Sequence, residues 1–386
     1  MGTSRYVSAR RAGRVTAQLC LSLSGLMRIA FIGTRGVPAS YSGFETCVEQ
    51  VGRRMVERGH EVIVFCRSSH YAERPAEYLG MKLRYLPAVR QKHLETLSHT
   101  FLSVMRLPRQ TAVVCMGVGN APVVRWLELS GRRTVFNVDG ADWQREKWGR
   151  FARWYLRTTE KMAARGRSIV IADAKAVQDY YERAYALKTE LVPYGADPPA
   201  DRGTEALDRF GLKPGGYVLW VGRLVPENAP DLFLEGVRLS GIDAPAVVVG
   251  DATYQEEFKR TLHASAPPNA VFTGYQFGAA YQQLTAHAGL YVLAAGVGGT
   301  HPVLVEQMAA GNAILARETD SNHEVLDDAG LFWKTPAELA AQLRELWPNA
   351  DRRRELGECA RKRAAERYSW EYVTNRYLEL CERTLG

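Results

Sequence analysis

The sequence has no apolar run approaching the roughly 18 residues that a helix needs to cross a bilayer, so a membrane-spanning segment is not expected. Its six cysteines, Cys20, Cys47, Cys66, Cys115, Cys359 and Cys381, are scattered. The absence of any CxxC pair or Cys/His cluster excludes the familiar zinc modules and fits reduced thiols in a cytoplasmic protein. GxGxxG is missing, which removes the dinucleotide fingerprint. So is DxD, and with it any convincing metal constellation. No short-period repeat or low-complexity tract occurs, which argues against a solenoid. The first 26 residues contain four arginines and no acid. Ser and Gln interrupt their weakly apolar part, so residues 1–26 read as a disordered or extended tail rather than a secretion signal.

What is present is a basic chain of 386 residues with a formal net charge of +8. That length suits two domains, and two domains imply a cleft. The charge fits nucleic acid, an anionic membrane surface or phosphorylated ligands, and by itself does not choose among them.

From Arg28 onward, short β-branched runs alternate with helix-length stretches. "RIAFIG", "HEVIVFC", "LRYLP", "TAVVCMG", "RTVFNV", "SIVIAD" and "TELVPYG" precede residue 196. Mostly apolar runs ended by Gly, Pro or Asp predict a parallel sheet covered on both faces, that is, a doubly wound α/β domain. A connection rich in Pro, Gly and charge covers residues 195–216. The pattern then restarts with "YVLWVGRL", "APAVVVGD", "NAVFTGY", "GLYVLAAG", "NAILARE" and "GLFWK". The expected organisation is a first Rossmann-like domain at 27–196, a second at 197–365, and a helix at 366–386 packing back on the first.

In open α/β sheets ligands lie beyond the carboxyl ends of the strands, so the loops after strands carry the chemistry. After the first strand comes "GTRGVPASYSGFE", where Gly33 and Gly36 would let backbone approach a ligand and Arg35 could meet an anion. The same glycines would also serve a tight strand-to-helix turn. After the first strand of the second domain, Gly222 and Arg223 leave the strand end, and a guanidinium there can fork onto two phosphate oxygens. After "GLYVLAAG", the backbone of Gly298, Gly299 and Thr300 leads into an apolar helix whose N-terminus favours an anion. Glu306, one turn on, has Pro302, Val303, Ala309 and Ala310 three and four positions away. As an acceptor-only carboxylate it suits vicinal sugar hydroxyls and would repel phosphate.

The stretches "MRIAFIGTRGVPASYSGFET", "VDGADWQREKWGR", "VGRLVPEN", "FTGY" and "VGGTHPVLVEQMAAGN" resemble glycosyltransferase family 4, retaining enzymes of the two-domain GT-B fold. Within it they look most like bacterial rhamnosyltransferases of surface-polysaccharide assembly. The resemblance implies a nucleotide-sugar held mainly by the second domain and a glycan or lipid-linked acceptor held mainly by the first, at Arg35, Phe44, Glu45 and Asp142. Two departures stand out. The family commonly has a glutamate eight positions before Glu306, where this chain has Gly298, and a diphosphate-binding Lys where it has Asn228. Loss of a polar partner in the sugar pocket is compatible with a deoxysugar such as rhamnose from a dTDP donor.

In "FNVDGADWQREKW", Asp139 could orient or deprotonate the acceptor hydroxyl, although Asp-Gly is also an ordinary turn. Arg223, backbone N–H groups and the helix dipole would then meet the leaving-group charge, with no metal or other cofactor required. His301, His287 and His323 read as structural or surface residues. Residues 143–167 carry eight Lys/Arg against two Glu with aromatics interleaved, which suits the inner face of the cytoplasmic membrane; no nucleic-acid module accompanies them. The expected activity is sugar transfer in polysaccharide biosynthesis. The alternatives are a non-catalytic sugar-nucleotide-binding partner of another transferase and a GT-B sugar-nucleotide epimerase.

Overall fold

The structure, a computed structural model, describes residues 25–39, 43–89, 91, 94–138, 150–252, 255–296 and 300–386. The first domain holds strands β1 (Arg28–Ile32), β2 (Glu61–Arg67), β3 (Glu77–Tyr78), β4 (Met81–Leu86), β5 (Ala112–Met116), β6 (Val135–Asn137), β7 (Ile169–Ala172) and β8 (Glu190–Leu191). Between them run helices α1 (Gly43–Glu57), α2 (Glu95–Val104), α3 (Ala121–Leu129), α4 (Arg150–Ala164) and α5 (Lys175–Tyr185). The second domain holds β9 (Val218–Val221), β10 (Ala246–Val249), β11 (Ala270–Gly274), β12 (Leu290–Leu293), β13 (Ile314–Arg317) and β14 (Leu331–Trp333). Its helices are α6 (Glu205–Arg209), α7 (Pro230–Ser240), α8 (Glu256–Ser265), α9 (Gly278–Ala286), α10 (Pro302–Ala310), α11 (Asp320–Leu326), α12 (Pro336–Leu346) and α13 (Ala350–Arg367). The last helix, α14 (Trp370–Leu385), packs against α1 and β5 of the first domain.

The two sheets run β3-β4-β2-β1-β5-β6-β7-β8 and β11-β10-β9-β12-β13-β14. Every described pairing between named strands is parallel except β3 with β4. Central strands such as "AVVCM" and "AVVV" are buried along their whole length because helices cover both faces. Each sheet accordingly has a hydrophobic core on either side. The order reverses direction between β1 and β5 in the first sheet and between β9 and β12 in the second. A crevice opens at such a reversal, because the connections on either side leave for opposite faces.

The connection between domains is pinned rather than loose. Tyr194 meets Trp370 edge-on at 4.9 Å between ring centroids. The N–H of Ala196 donates to the carbonyl of Tyr368 at 2.6 Å, and Arg54 pairs with Asp197. On α14, Tyr377 is fully buried and its hydroxyl accepts from Asn137 Nδ2 at 2.9 Å. Across the cleft, Thr300 Oγ1 donates to the carbonyl of Asp173 at 3.2 Å. Glu324 Oε1 accepts from the N–H of Lys175 at 2.7 Å, capping the otherwise uncapped start of α5 from the other domain.

Candidate active site

The reversal between β9 and β12 carries a cavity of about 400 Å³. Its floor comes from the strand ends, Trp220 to Arg223 and Val249 to Gly250. Gly250 has φ +133°, and a Cβ there would overlap the carbonyl oxygen of Gly222, so the backbones of the two strand ends touch. Only glycine permits that approach. The cavity walls are Tyr275, Gln276, Phe277 and Tyr281 from one stretch of the chain and His301, Pro302, Val303 and Glu306 from α10 and the residue before it, meeting where Tyr281 touches Glu306.

Several features of this cavity suit an anion beside a polyol. Helix α10 begins with Pro302, which has no N–H, and has no side-chain cap; the Leu304 N–H donates back to the His301 carbonyl at 2.9 Å, so what this end offers an anion is chiefly the positive end of the helix dipole. Arg223 is exposed at the cavity, and its backbone carbonyl accepts from Asn228 Nδ2 at 2.9 Å. Tyr275 and Phe277 stack at 5.9 Å with 18° between ring planes, and Phe277 is 77% exposed. Glu306 Oε2 accepts from Tyr281 Oη at 2.5 Å. Burial pushes the Glu306 carboxyl up from its ordinary range, and the Tyr281 hydrogen bond opposes that shift. Burial and the nearby Glu306 carboxylate hold the Tyr281 and Tyr291 phenols well above theirs. Both stay protonated at neutral pH, and Tyr281 is the one that donates to Glu306. Burial also lowers His301, which is therefore a neutral imidazole at the cavity wall.

Of the residues singled out from the sequence, Gly222, Arg223, Asn228 and Glu306 come together on this cavity. Thr300 is buried, with its hydroxyl committed across the cleft to Asp173. Asp139, Asp142, Gly298 and Gly299 lie outside the described residues. On the first domain, Gly33 and Gly36 have φ +92° and +119°. The space a Cβ would need is taken by the Met116 carbonyl and Asn120 amide at Gly33, and by Cys66 Sγ, 2.5 Å away, at Gly36. Arg35 and Glu45 are tied together, the Glu45 carboxylate accepting from the Arg35 N–H at 3.3 Å while 3% exposed. Phe44 packs against the first-domain core.

Tyr281, Tyr275 and Phe277 were not singled out as site residues, and His301 was read as structural. His287 and His323 do have structural partners, the Arg202 carbonyl at 2.9 Å and the Phe332 ring at 3.7 Å between centroids. Arg67, His70 and Glu95, also unanticipated, form a cluster at the end of β2. There Glu95 meets His70 at 2.7 Å and Arg67 at 3.4 Å. Among the described residues, no group of three or more His, Cys, Asp or Glu is placed to hold a metal ion.

Two Rossmann-like domains with a cavity at the switch point of the second have the architecture of a GT-B transferase. The comparisons agree. Residues 42–195 match the glycosyl transferase 4-like domain, and residues 208–363 match glycosyl transferases group 1. The chain belongs to the GT-B glycosyltransferases and is a glycosyltransferase enzyme. It is 21% identical over 378 residues to O-antigen chain mannosyltransferase C of Escherichia coli, covering 92% of this chain and 98% of that one. It is 25% identical over 381 residues to a phosphatidyl-myo-inositol mannosyltransferase of Mycobacterium tuberculosis, covering 89% and 94%. Among solved structures, sucrose-phosphate synthase from Thermosynechococcus elongatus superposes with a TM-score of 0.76 at 18% identity, covering 92% of this chain and 98% of that one. Anabaena HepE in complex with UDP-glucose gives 0.73 at 18% identity, covering 92% and 100%.

Proposed function

We propose that this glycosyltransferase moves L-rhamnose from a dTDP donor, with retention, to a hydroxyl of a glycan or lipid-linked acceptor in polysaccharide biosynthesis. The observation that carries the donor site is the convergence of Arg223, the uncapped start of α10 and Glu306 on one cavity. In this reading the guanidinium and the helix N-terminus hold the diphosphate, and Glu306 holds the pentose. A relative acts on a phosphatidyl-inositol and a structural neighbour holds UDP-glucose, which supports a nucleotide-sugar donor and a lipid-linked acceptor. The curated relatives are mannosyltransferases. The rhamnosyl assignment therefore rests on the sequence resemblance and on the acid missing from the sugar pocket at Gly298, with Asn228 in place of the diphosphate Lys as a second departure.

Transfer proceeds by front-face attack. The acceptor oxygen bonds to the anomeric carbon, the bond from that carbon to the phosphate oxygen breaks, and the acceptor proton passes to the leaving phosphate. Asp139 is assigned to orient the acceptor hydroxyl. Arg223 and the α10 dipole meet the leaving-group charge without a metal requirement. Peripheral contact with the inner face of the cytoplasmic membrane is assigned to the basic, aromatic segment 143–167. Its described part, α4, exposes Arg153, Trp154, Arg157 and Lys161, with Trp154 61% exposed, while burying Leu156 and Thr159. No described helix is long and apolar enough to cross a membrane.

The test is nucleotide release across UDP-, GDP- and dTDP-sugars, in EDTA, with membrane-extract acceptors. Release from dTDP-rhamnose that depends on acceptor supports the assignment. Release from another donor replaces the sugar. Binding without release points to a non-catalytic partner. Arg223→Ala and Glu306→Ala should each weaken donor use by roughly tenfold or more, the size of one hydrogen bond to a charged group. Unchanged donor use in both would sink the site.

A further inference from the structure

The Tyr281–Glu306 pair lies at the end of a continuous polar chain that locks α9 to α10. Asn312 Nδ2 donates both to the carbonyl of Thr285 at 2.9 Å and to Gln307 Oε1 at 2.6 Å. Gln307 Nε2 donates to Thr285 Oγ1 at 3.2 Å. Thr285, one helical turn beyond Tyr281, also meets the Tyr281 hydroxyl, and Tyr281 Oη donates to Glu306 Oε2. Gln307, Asn312 and Thr285 are buried, so the relay is enclosed, and each bond in such a chain strengthens the next. The result is a carboxylate fixed in one orientation. Oε2 is engaged by a short phenolic bond, and Oε1 makes no hydrogen bond to a described residue.

A vicinal diol is read best when its two hydroxyls reach the two oxygens of one carboxylate, as in other fork-on-fork pairings. Here one oxygen of Glu306 already accepts a short bond from within the protein, which leaves Oε1 as the oxygen with both lone pairs open to a ligand. We propose that Tyr281 is a positioning residue that restricts Glu306 to reading one pentose hydroxyl, so that the cavity accepts a 2′-deoxyribonucleoside diphosphate as readily as the ribonucleoside form. This rests on the assignment of the cavity to a nucleoside diphosphate and adds the class of pentose it takes.

The experiment is calorimetric titration of the full chain with UDP and dUDP, which differ only in the 2′-hydroxyl, for the wild type, Tyr281→Phe and Glu306→Gln. The wild type should bind the two within about threefold of each other. Tyr281→Phe frees Oε2 and should shift the UDP:dUDP preference toward UDP by roughly tenfold, the size of one hydrogen bond to a charged acceptor. Glu306→Gln should weaken both ligands alike. A wild-type preference for UDP above about threefold overturns the proposal. So does a Tyr281→Phe variant that keeps its melting temperature and an unaltered ratio. If neither nucleotide binds the wild type, or Glu306→Gln binds both as the wild type does, the underlying cavity assignment fails instead, so the two failures are distinguishable. Should Tyr281→Phe unfold, the wild-type ratio alone still decides, because a UDP preference above about threefold in the native chain is fatal without any variant.

Discussion

The two domains share one architecture and use their switch points differently. In the second domain, the strand ends around Gly222 and Gly250 touch backbone to backbone and leave about 400 Å³ open above them. In the first, the loop after β1 lies directly on its neighbours: Asn120 and the Met116 carbonyl fill the space beside Gly33, Cys66 fills that beside Gly36, and Glu45 turns inward to bond the Arg35 N–H. Similar glycine-rich turns therefore do different things. One set leaves a cavity open and the other makes room for the protein's own side chains. A pre-formed cavity belongs to the half assigned the nucleotide, whose diphosphate needs fixed N–H groups.

The sharpest way to break this contrast is to add one methyl to each half. Gly250→Ala would drive a Cβ into the Gly222 carbonyl at a φ that L-residues rarely adopt. A loss of about 3 to 5 kcal/mol is expected from strain and steric overlap, together with loss of nucleotide binding. Gly36→Ala meets Cys66 at a φ of +119° and should lose stability on the same scale. Nucleotide affinity measured below its melting temperature should survive. Chemical denaturation and calorimetry on both variants check this, and equal loss of nucleotide binding would erase the distinction between the halves.

A second difference is the sign of their response to acid. Burial, reinforced by Arg67, lowers His99 in α2 to about 4 from the ordinary 6.5. The unfolded chain therefore takes up a proton that the folded one refuses. Stability from this group is fully present above pH 6.5 and is lost as pH falls toward 4, by about 3 kcal/mol in all. Glu306 behaves oppositely. Its raised pKa means that burying the carboxylate costs stability at neutral pH, and that cost is relieved as pH falls through its folded value. Replacing His99 with Phe should flatten the acid limb of the stability curve between pH 6.5 and 4, as followed by urea denaturation at stepped pH. An unaltered limb would assign acid sensitivity elsewhere.

The strands of both sheets were legible because burial on both faces imposes long β-branched runs, and "AVVCM" or "AVVV" can hardly be anything else. Only β3 escaped. Its two residues, Glu77 and Tyr78, form an antiparallel edge whose pairing comes from the hairpin with β4 rather than from any pattern of their own. At the site, the residues that could be read were those whose chemistry is local: Arg223 directly behind its strand, and Glu306 in an apolar helix. Tyr281 was invisible for the opposite reason. Nothing in "GAAYQQLTA" separates it from a core aromatic, and its meaning comes from a partner 25 residues away. His301 likewise looked unremarkable until α10 placed it on the cavity wall.

The finest test of the contrast is Asn228, which stands where a diphosphate-binding Lys was expected. Its amide donates to the carbonyl of Arg223 at 2.9 Å, and a Cβ on Gly222 would lie 3.4 Å from the same amide. Asn228 thus braces the turn that delivers the guanidinium, adding order where a Lys would add charge. Removing one neutral hydrogen bond costs about 1 kcal/mol, or roughly fivefold in an equilibrium constant. Asn228→Ala should therefore weaken nucleoside diphosphate binding by about that factor, with little change in its salt dependence because no charge is lost. Asn228→Lys should make binding more salt-sensitive, since it trades the brace for a point charge. If Asn228→Ala binds as the wild type does, the turn is held by its backbone, through the Gly222–Gly250 contact and the N–H groups of Leu224 and Val225 on the carbonyls of Asp251 and Arg223, and the Asn228 side chain adds nothing to its order.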